Sequence, residues 1–210
     1  VGEDEYICVG ACSYYEADSE EYVLQNRRYM LFYANGKLIG KNKNTDGGFK
    51  MILSDDGSAA GTERILSSAY FDGSDLYVCG YENWEPSGYT GTHTGKIWKS
   101  SISEIKNGNF DFANCEYSKN YCLFFSIDGT GSDFGVCGEY YAKDDGGSLK
   151  GCYLTSRMLK ENSSCEPKLY SIKDKSYCWF NQLCQYENKK VFSPFHLCRT
   201  PSKLFYFFHK

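Results

Sequence analysis

The chain has 210 residues and a formal net charge of -4, and its lysines and arginines are scattered, so it lacks the basic stripe typical of nucleic-acid binding. No apolar run approaches the roughly eighteen residues that a membrane-spanning helix needs. The sequence is rich in Tyr (19), Phe (14) and Gly (21), a composition that favours strands joined by frequent turns.

The 11 cysteines indicate an oxidising compartment, because their spacing matches no zinc motif and their number is high for a cytosolic protein. We therefore expect a protein that is extracellular, at the cell surface or periplasmic. Cys115 and Cys122 flank the turn-like segment EYSKNY, which makes them the candidate local disulfide. The alternative is that many cysteines are reduced and buried in strands, as free cysteine often is.

The clearest predicted strands lie within residues 65–103. A short apolar strand leads to an Asp-Gly turn at Asp72 and Gly73, and a second strand covers residues 76–81. A long polar and aromatic loop follows, and then a third strand that carries Trp98. This segment is the clearest copy of a pattern found elsewhere in the chain.

The second strand of this pattern recurs. EYICVG at 5–10, DLYVCG at 75–80 and DFGVCG at 133–138 share a closing glycine, and KVFSPF at 190–195 is a degraded fourth copy. Predicted third strands follow at 30–34, 96–99, 151–154 and 204–208, with Tyr33, Trp98 and Tyr153 as the corresponding aromatics of the first three. Predicted fourth strands lie at 49–53, 110–113 and 168–172. The intervals indicate an internal repeat with loop insertions.

Each unit is a four-stranded antiparallel meander, which cannot bury both of its faces alone. The radial arrangement of such units is a β-propeller. We therefore predict a single all-β domain over 1–210, a β-propeller of about four blades with incomplete end blades. Its units cover about 1–62, 63–115, 116–172 and 173–210. A fragment of a larger propeller and a β-sandwich are the alternatives.

The phrases DLYVCG and KIWK, together with LFYANGK at 31–37, resemble the blade repeat of bacterial extracytoplasmic β-propeller proteins. The resemblance covers about residues 3–160. It implies a propeller fold and a binding or surface role.

The insertion at 81–95, YENWEPSGYTGTHTG, is the predicted ligand site. Aromatic rings among hydroxyls and carboxylates can stack on a sugar and bind its hydroxyl groups. The candidate ligand-binding residues are Trp84, Tyr89, His93, Glu82 and Glu85. The alternative is a solvated loop whose Trp84 covers the loop itself.

The sequence carries no nucleophile elbow, no metal-ligand spacing among its three histidines and no cofactor motif. We therefore expect no metal and no cofactor, and a secreted or surface binding or structural module with a protein or glycan partner. Two alternatives stay open. A sialidase-like or other propeller glycoside hydrolase would need two converging carboxylates, for which Glu82, Glu85, Glu139 and Asp144 are available. A structural subunit of an extracellular assembly would self-associate.

Overall fold

The computed structural model describes residues 5–16, 21–34, 37–39, 52–53, 63–83, 93–107, 115–142, 148–171, 179–186 and 189–195. These residues form antiparallel strands with two short helices, which confirms the predicted all-β class. No helix among them is long and apolar enough to cross a membrane.

The strands form three four-stranded sheets and a two-stranded hairpin, which follow one another along the chain. Sheet A comprises β1 (Glu5–Glu16), β2 (Glu21–Ala34), β3 (Lys37–Ile39) and β4 (Ile52–Leu53). Sheet B comprises β5 (Glu63–Phe71), β6 (Asp75–Asn83), β7 (His93–Ser101) and β8 (Cys115–Asn120), with helix α1 (Ile102–Asn107) before β8. Sheet C comprises β9 (Cys122–Thr130), β10 (Asp133–Ala142), β11 (Ser148–Thr155) and β12 (Lys168–Tyr170), with helix α2 (Ser156–Glu161) before β12. Hairpin D comprises β13 (Trp179–Tyr186) and β14 (Lys189–Phe195).

The predicted Asp-Gly turn joins β5 to β6. Gly73 has a φ of 105°, a conformation open to glycine because it has no Cβ. The Asp72 carboxylate accepts hydrogen bonds from the backbone N–H groups of Ser74 (2.9 Å) and Asp75 (2.8 Å). The turn chemistry read from the sequence is therefore confirmed.

A β-bulge recurs at one place in three successive units. Sheet B has one extra residue on its first strand, Ser67, opposite Cys79 and Gly80. Sheet C has Phe125 opposite Cys137 and Gly138, and hairpin D has Asn181 opposite Ser193 and Pro194. A bulge bends its strand and increases the local twist, so these units share their curvature as well as their strand order.

The bulge in sheet C depends on glycine at position 138. A Cβ atom there would collide with the backbone carbonyl of Leu123 and would approach the Cα of Phe124 to 3.0 Å. Backbone cannot move aside as a flexible side chain can. Gly138 is therefore required by the close approach of two strands.

The sheets are stacked face to face in chain order. Strand β5 contacts β1 and β2, β9 contacts β5, β6 and β7, and β13 contacts β9, β10 and β11. Each new unit thus places its first strand across the unit before it. Sheets B and C each have a neighbour on both faces, whereas a two-layer sandwich covers one face of each sheet.

Two consecutive residues before the repeat glycine pack on opposite faces of the sheet. The residue directly before the glycine packs toward the next unit in the chain, and the residue before that packs toward the preceding unit. Cys79 belongs to the core between sheets B and C, whereas Val78 packs with Ile7 and Val9 of sheet A. In sheet C, Val136 faces sheet B, while Cys137 packs with Tyr153 on the other face. Cys79 and Cys137 thus hold equivalent packing positions in successive units.

The largest buried aromatics anchor these two interfaces. Trp98 is fully buried between sheets A and B, and Phe124 is fully buried between sheets B and C. Burial of such a side chain contributes roughly 2–3 kcal/mol. Gly95 admits sheet C, since a Cβ there would lie 2.7 Å from the Cys122 Cβ and 2.9 Å from the Phe124 ring.

Three details of the sequence prediction are wrong. The segment EYSKNY is not a turn, because most of it belongs to strand β8. This strand is the fourth strand of sheet B, for which the sequence predicts residues 110–113. Residues 110–113 themselves lie outside the described residues. Cross-strand register places Leu154 where sheet B has Trp98, so Tyr153 is not the corresponding aromatic. The fourth copy is shifted by one residue, because Pro194 takes the place of Gly138.

Replacement of Gly138 by Ala tests the close approach at the bulge. We expect Gly138→Ala to lower the free energy of unfolding by about 2–4 kcal/mol, because backbone must shift to admit the methyl group. Urea denaturation followed by tryptophan fluorescence measures this change. The matched control is Gly131→Asn. Nothing lies within 4 Å of a Cβ at Gly131, whose φ of 55° suits Asn. Equal stability of the two variants would contradict the assigned strand register.

Candidate functional site

Several strand ends that connect to loops lie together along one edge of the stack, the edge formed by strand ends and not by an outer strand. Strands β6, β8 and β10 end there, and β7, β9 and β11 begin there. We call this the Tyr121 edge, after the single residue that links sheet B to sheet C. The predicted insertion leaves β6 and rejoins β7 at this edge, so loops from two sheets emerge beside Tyr121.

Tyr121 connects the two sheets through its backbone. Its N–H donates to the carbonyl of His93 (2.7 Å) on β7, and its own carbonyl accepts from the N–H of Tyr141 (2.8 Å) on β10. Its φ is 65°, in the left-handed region that non-glycine residues seldom adopt. Such a conformation costs roughly 1–3 kcal/mol and occurs preferentially at functional sites.

Partly exposed aromatic rings line this edge. Tyr81 and His93 contact each other edge to face, with ring centroids 5.7 Å apart and an interplanar angle of 69°. Tyr121, whose N–H bonds the His93 carbonyl, is also partly exposed, whereas Tyr141 lies two residues after Glu139 on β10 and so belongs to the face turned toward β13. The edge therefore presents amphipathic rings on a backbone that is fixed by both sheets.

A polar cluster lies at the same edge on the opposite face of sheet B, the face turned toward sheet A. Lys96 Nζ lies 3.1 Å from Glu82 Oε2, and these side chains are only 21% and 11% exposed. The Thr94 hydroxyl donates to the Asn120 side-chain oxygen at 3.0 Å. Thr94 itself is buried, whereas Asn120 is exposed. We call these four residues the polar cluster.

The predicted ligand residues divide into two groups. Glu82 and His93 are at the Tyr121 edge, but on opposite faces of sheet B, because Glu82 lies opposite Thr94 and His93 opposite Asn83. Trp84, Tyr89 and Glu85 lie outside the described residues. Sequence reasoning missed Tyr121, Lys96 and Asn120. Lys96 lies on a predicted third strand and Asn120 in the segment predicted to be turn-like, and only the cross-strand register brings them to Glu82 and Thr94.

The proposed Cys115–Cys122 disulfide is not confirmed, since both residues are free thiols. A bulge between Ile97 and Trp98 turns Cys115 toward the core between sheets A and B. Cys122 packs in the core between sheets B and C. The two thiols therefore belong to different interfaces.

Three buried cysteines, Cys79, Cys137 and Cys152, are poor candidates for nucleophiles. Burial raises the pKa of the fully buried Cys79 and Cys152 thiols well above the ordinary value, and burial likewise raises the pKa of Cys137. A raised pKa keeps a thiol protonated, and the thiolate is the reactive form. These residues act as small packing groups.

The two candidate carboxylates that the structure describes, Glu82 and Glu139, do not converge. Glu82 faces sheet A and is paired with Lys96. Glu139 shares the face of β10 that carries Cys137, on the side that packs toward β13. The candidates Glu85 and Asp144 lie outside the described residues. No group of His, Cys, Asp and Glu within the described ranges is arranged to hold a metal ion.

Comparison of the chain with family models, with curated proteins and with solved structures finds no match.

Glu139 gives the fold a pH dependence that can be measured. Burial raises the pKa of Glu139 to about 7, well above the value near 4.3 of an exposed glutamate. The folded state therefore keeps a proton that the unfolded state releases, so stability is lost as pH rises from about 4.5 to 7. We expect Glu139→Gln to reduce the loss of unfolding free energy between pH 5 and pH 8 by about 1–2 kcal/mol, allowing for its partial exposure.

Urea denaturation at the two pH values checks this expectation. The control is Glu161→Gln, an exposed carboxylate on α2, which should keep the pH dependence of the wild type. Parallel pH profiles for Glu139→Gln and the wild type would show that Glu139 is ionised and hydrated in the folded protein.

Proposed function

We propose that this chain is a non-catalytic ligand-binding module of β-propeller type that acts outside the cell and uses the Tyr121 edge as its binding surface. The left-handed conformation of Tyr121 carries the proposal. Glycine would remove the strain at this position, and asparagine would tolerate it. The backbone of Tyr121 is strained and is hydrogen-bonded to strands of two sheets. A role of the tyrosine side chain in ligand binding would explain why tyrosine occupies this position.

The position of the edge supports the same proposal. Binding residues are concentrated on loops and strand ends that a rigid scaffold holds in place. The insertion between Asn83 and His93 starts and ends at this edge, next to the rings of Tyr81 and His93. Tyrosine is also enriched at binding hot spots, because it offers a large rigid surface and a hydroxyl group.

The hydrolase alternative receives less support. Glu82 and Glu139 face different spaces between the sheets, whereas a retaining or inverting mechanism needs two carboxyl groups within roughly 5–10 Å. A structural role in an extracellular assembly remains compatible with the stacked sheets. It predicts self-association, which sedimentation of the purified chain would detect.

Tyr121→Gly separates binding from folding. Glycine accepts a φ of 65° without strain but loses more entropy on folding, so we expect the stability to change by no more than about 1 kcal/mol. Binding should weaken by about tenfold, since loss of a tyrosine at a hot spot costs more than 1 kcal/mol. The wild type is first screened against an array of glycans and a library of displayed peptides, and the best ligand is then titrated.

The control is Tyr6→Ala. Tyr6 is 62% exposed and lies on β1 at the end away from the Tyr121 edge, opposite Tyr33. It should retain wild-type affinity. Equal affinities of Tyr121→Gly and the wild type for every ligand found would place the binding surface elsewhere.

A further inference from the structure

The internal repeat provides a standard against which each position of sheet B can be judged. Gly80 lies opposite Lys96, as Gly138 lies opposite Cys152. Lys96 and Cys152 therefore hold equivalent positions, and Glu82 is equivalent to Tyr140 because each stands two residues after its glycine. Side chains that differ between these units serve something other than the shared scaffold.

In sheet C these positions belong to the apolar core. Cys152 is fully buried there, and Tyr140 packs against the same core. In sheet B the corresponding side chains are a carboxylate and an ammonium group, largely removed from water. Desolvation of an ion pair is unfavourable, and well-packed apolar residues commonly replace such a pair without loss of stability. Stacking of the sheets therefore does not account for the pair.

The polar residues extend across the whole sheet as a row. Glu82 lies directly opposite Thr94, and Thr94 lies directly opposite Asn120. On the other side of Glu82, Arg64 holds the opposing register position on β5. All four strands thus contribute a polar residue at one level, next to the Tyr121 edge.

The chemistry of the polar cluster suits a molecule with adjacent hydroxyl groups. Lys96 and the Asn120 amide supply N–H donors, while Glu82, the Thr94 hydroxyl and the Asn120 carbonyl supply acceptors. Each sugar hydroxyl both donates and accepts a hydrogen bond, and bonds to charged groups are the stronger ones. Solvent reaches the cluster at the strand ends, where Asn120 is exposed and Lys96 is partly exposed.

We infer that the polar cluster of Glu82, Thr94, Lys96 and Asn120 is a saccharide-binding site that recognises adjacent hydroxyl groups. This inference rests on the proposed binding function and specifies its ligand. It adds a polar site on the face of sheet B turned toward sheet A, beside the aromatic rings of the Tyr121 edge.

The test uses the whole chain and an array of neutral and acidic saccharides. The double variant Glu82→Gln, Lys96→Met removes the charges of the cluster with little change in side-chain size. The matched control is Asp75→Asn, Lys99→Met, because Lys99 Nζ and Asp75 Oδ2 form a 2.9 Å ion pair on the same two strands, far from the Tyr121 edge. Thermal unfolding establishes that each variant is folded.

We expect the wild type and the control to bind the same saccharide with equal affinity. The cluster variant should bind at least about tenfold more weakly, because charge-assisted hydrogen bonds are lost. A folded cluster variant with affinity within about twofold of the wild type would overturn the inference. Should the double variant not fold, Thr94→Val tests the same site, and failure of both to fold would show that the cluster is structural.

The screen also separates this inference from the proposed function. Binding of a displayed peptide without any saccharide would overturn the inference and leave the binding function in place. Binding of neither ligand class would count against both. Loss of saccharide binding in Tyr121→Gly alone, with the cluster variant unaffected, would support the proposed function and exclude the polar cluster.

Discussion

The close approach of two strands at the β-bulge is the constraint on which the described structure depends. An extra residue in the first strand of a unit, Phe125 in sheet C, forces its neighbours against the second strand, where only Gly138 leaves room for the Leu123 carbonyl. The bulge sets the curvature of each unit. Side chains alternate along β10, so Val136 and Cys137 lie on opposite faces, and the sheet offers packing residues to both of its neighbours. Stacking in chain order follows from this arrangement.

Much of this architecture could be predicted because it depends on residues that are close together in the sequence. The Asp72–Gly73 turn, the V-C-G phrase and the strand periods depend on short-range chemistry, and the structure confirms them. The position of β8 could not be read in the same way. Its sequence CEYSKN is polar, and the link to the next sheet is the left-handed Tyr121 instead of a glycine turn. A residue that adopts an unfavourable conformation gives no local signal.

The candidate site was predictable in part for the same reason. The insertion after Asn83 stands out because it interrupts the repeat, and this places attention on Glu82 and His93. Lys96 and Asn120 become candidate site residues only through the pairing of strands. Strand pairing brings Lys96 to Glu82, 14 positions earlier in the chain, and Asn120 to Thr94, 26 positions earlier. Comparison between units then distinguishes scaffold from function. Cys152 and Tyr140 show what the fold requires where sheet B has Lys96 and Glu82.

The most direct test of the stacked arrangement is a nuclear Overhauser measurement between sheets B and C. A Cβ on Gly95 would lie 2.9 Å from the Phe124 ring, and the rings of Tyr77 and Phe134 are 4.7 Å apart. We predict strong contacts between the Gly95 α-protons and the Phe124 ring protons, and between the rings of Tyr77 and Phe134. Absence of both, with the contacts between β6 and β7 within sheet B intact, would contradict the face-to-face stacking of successive units.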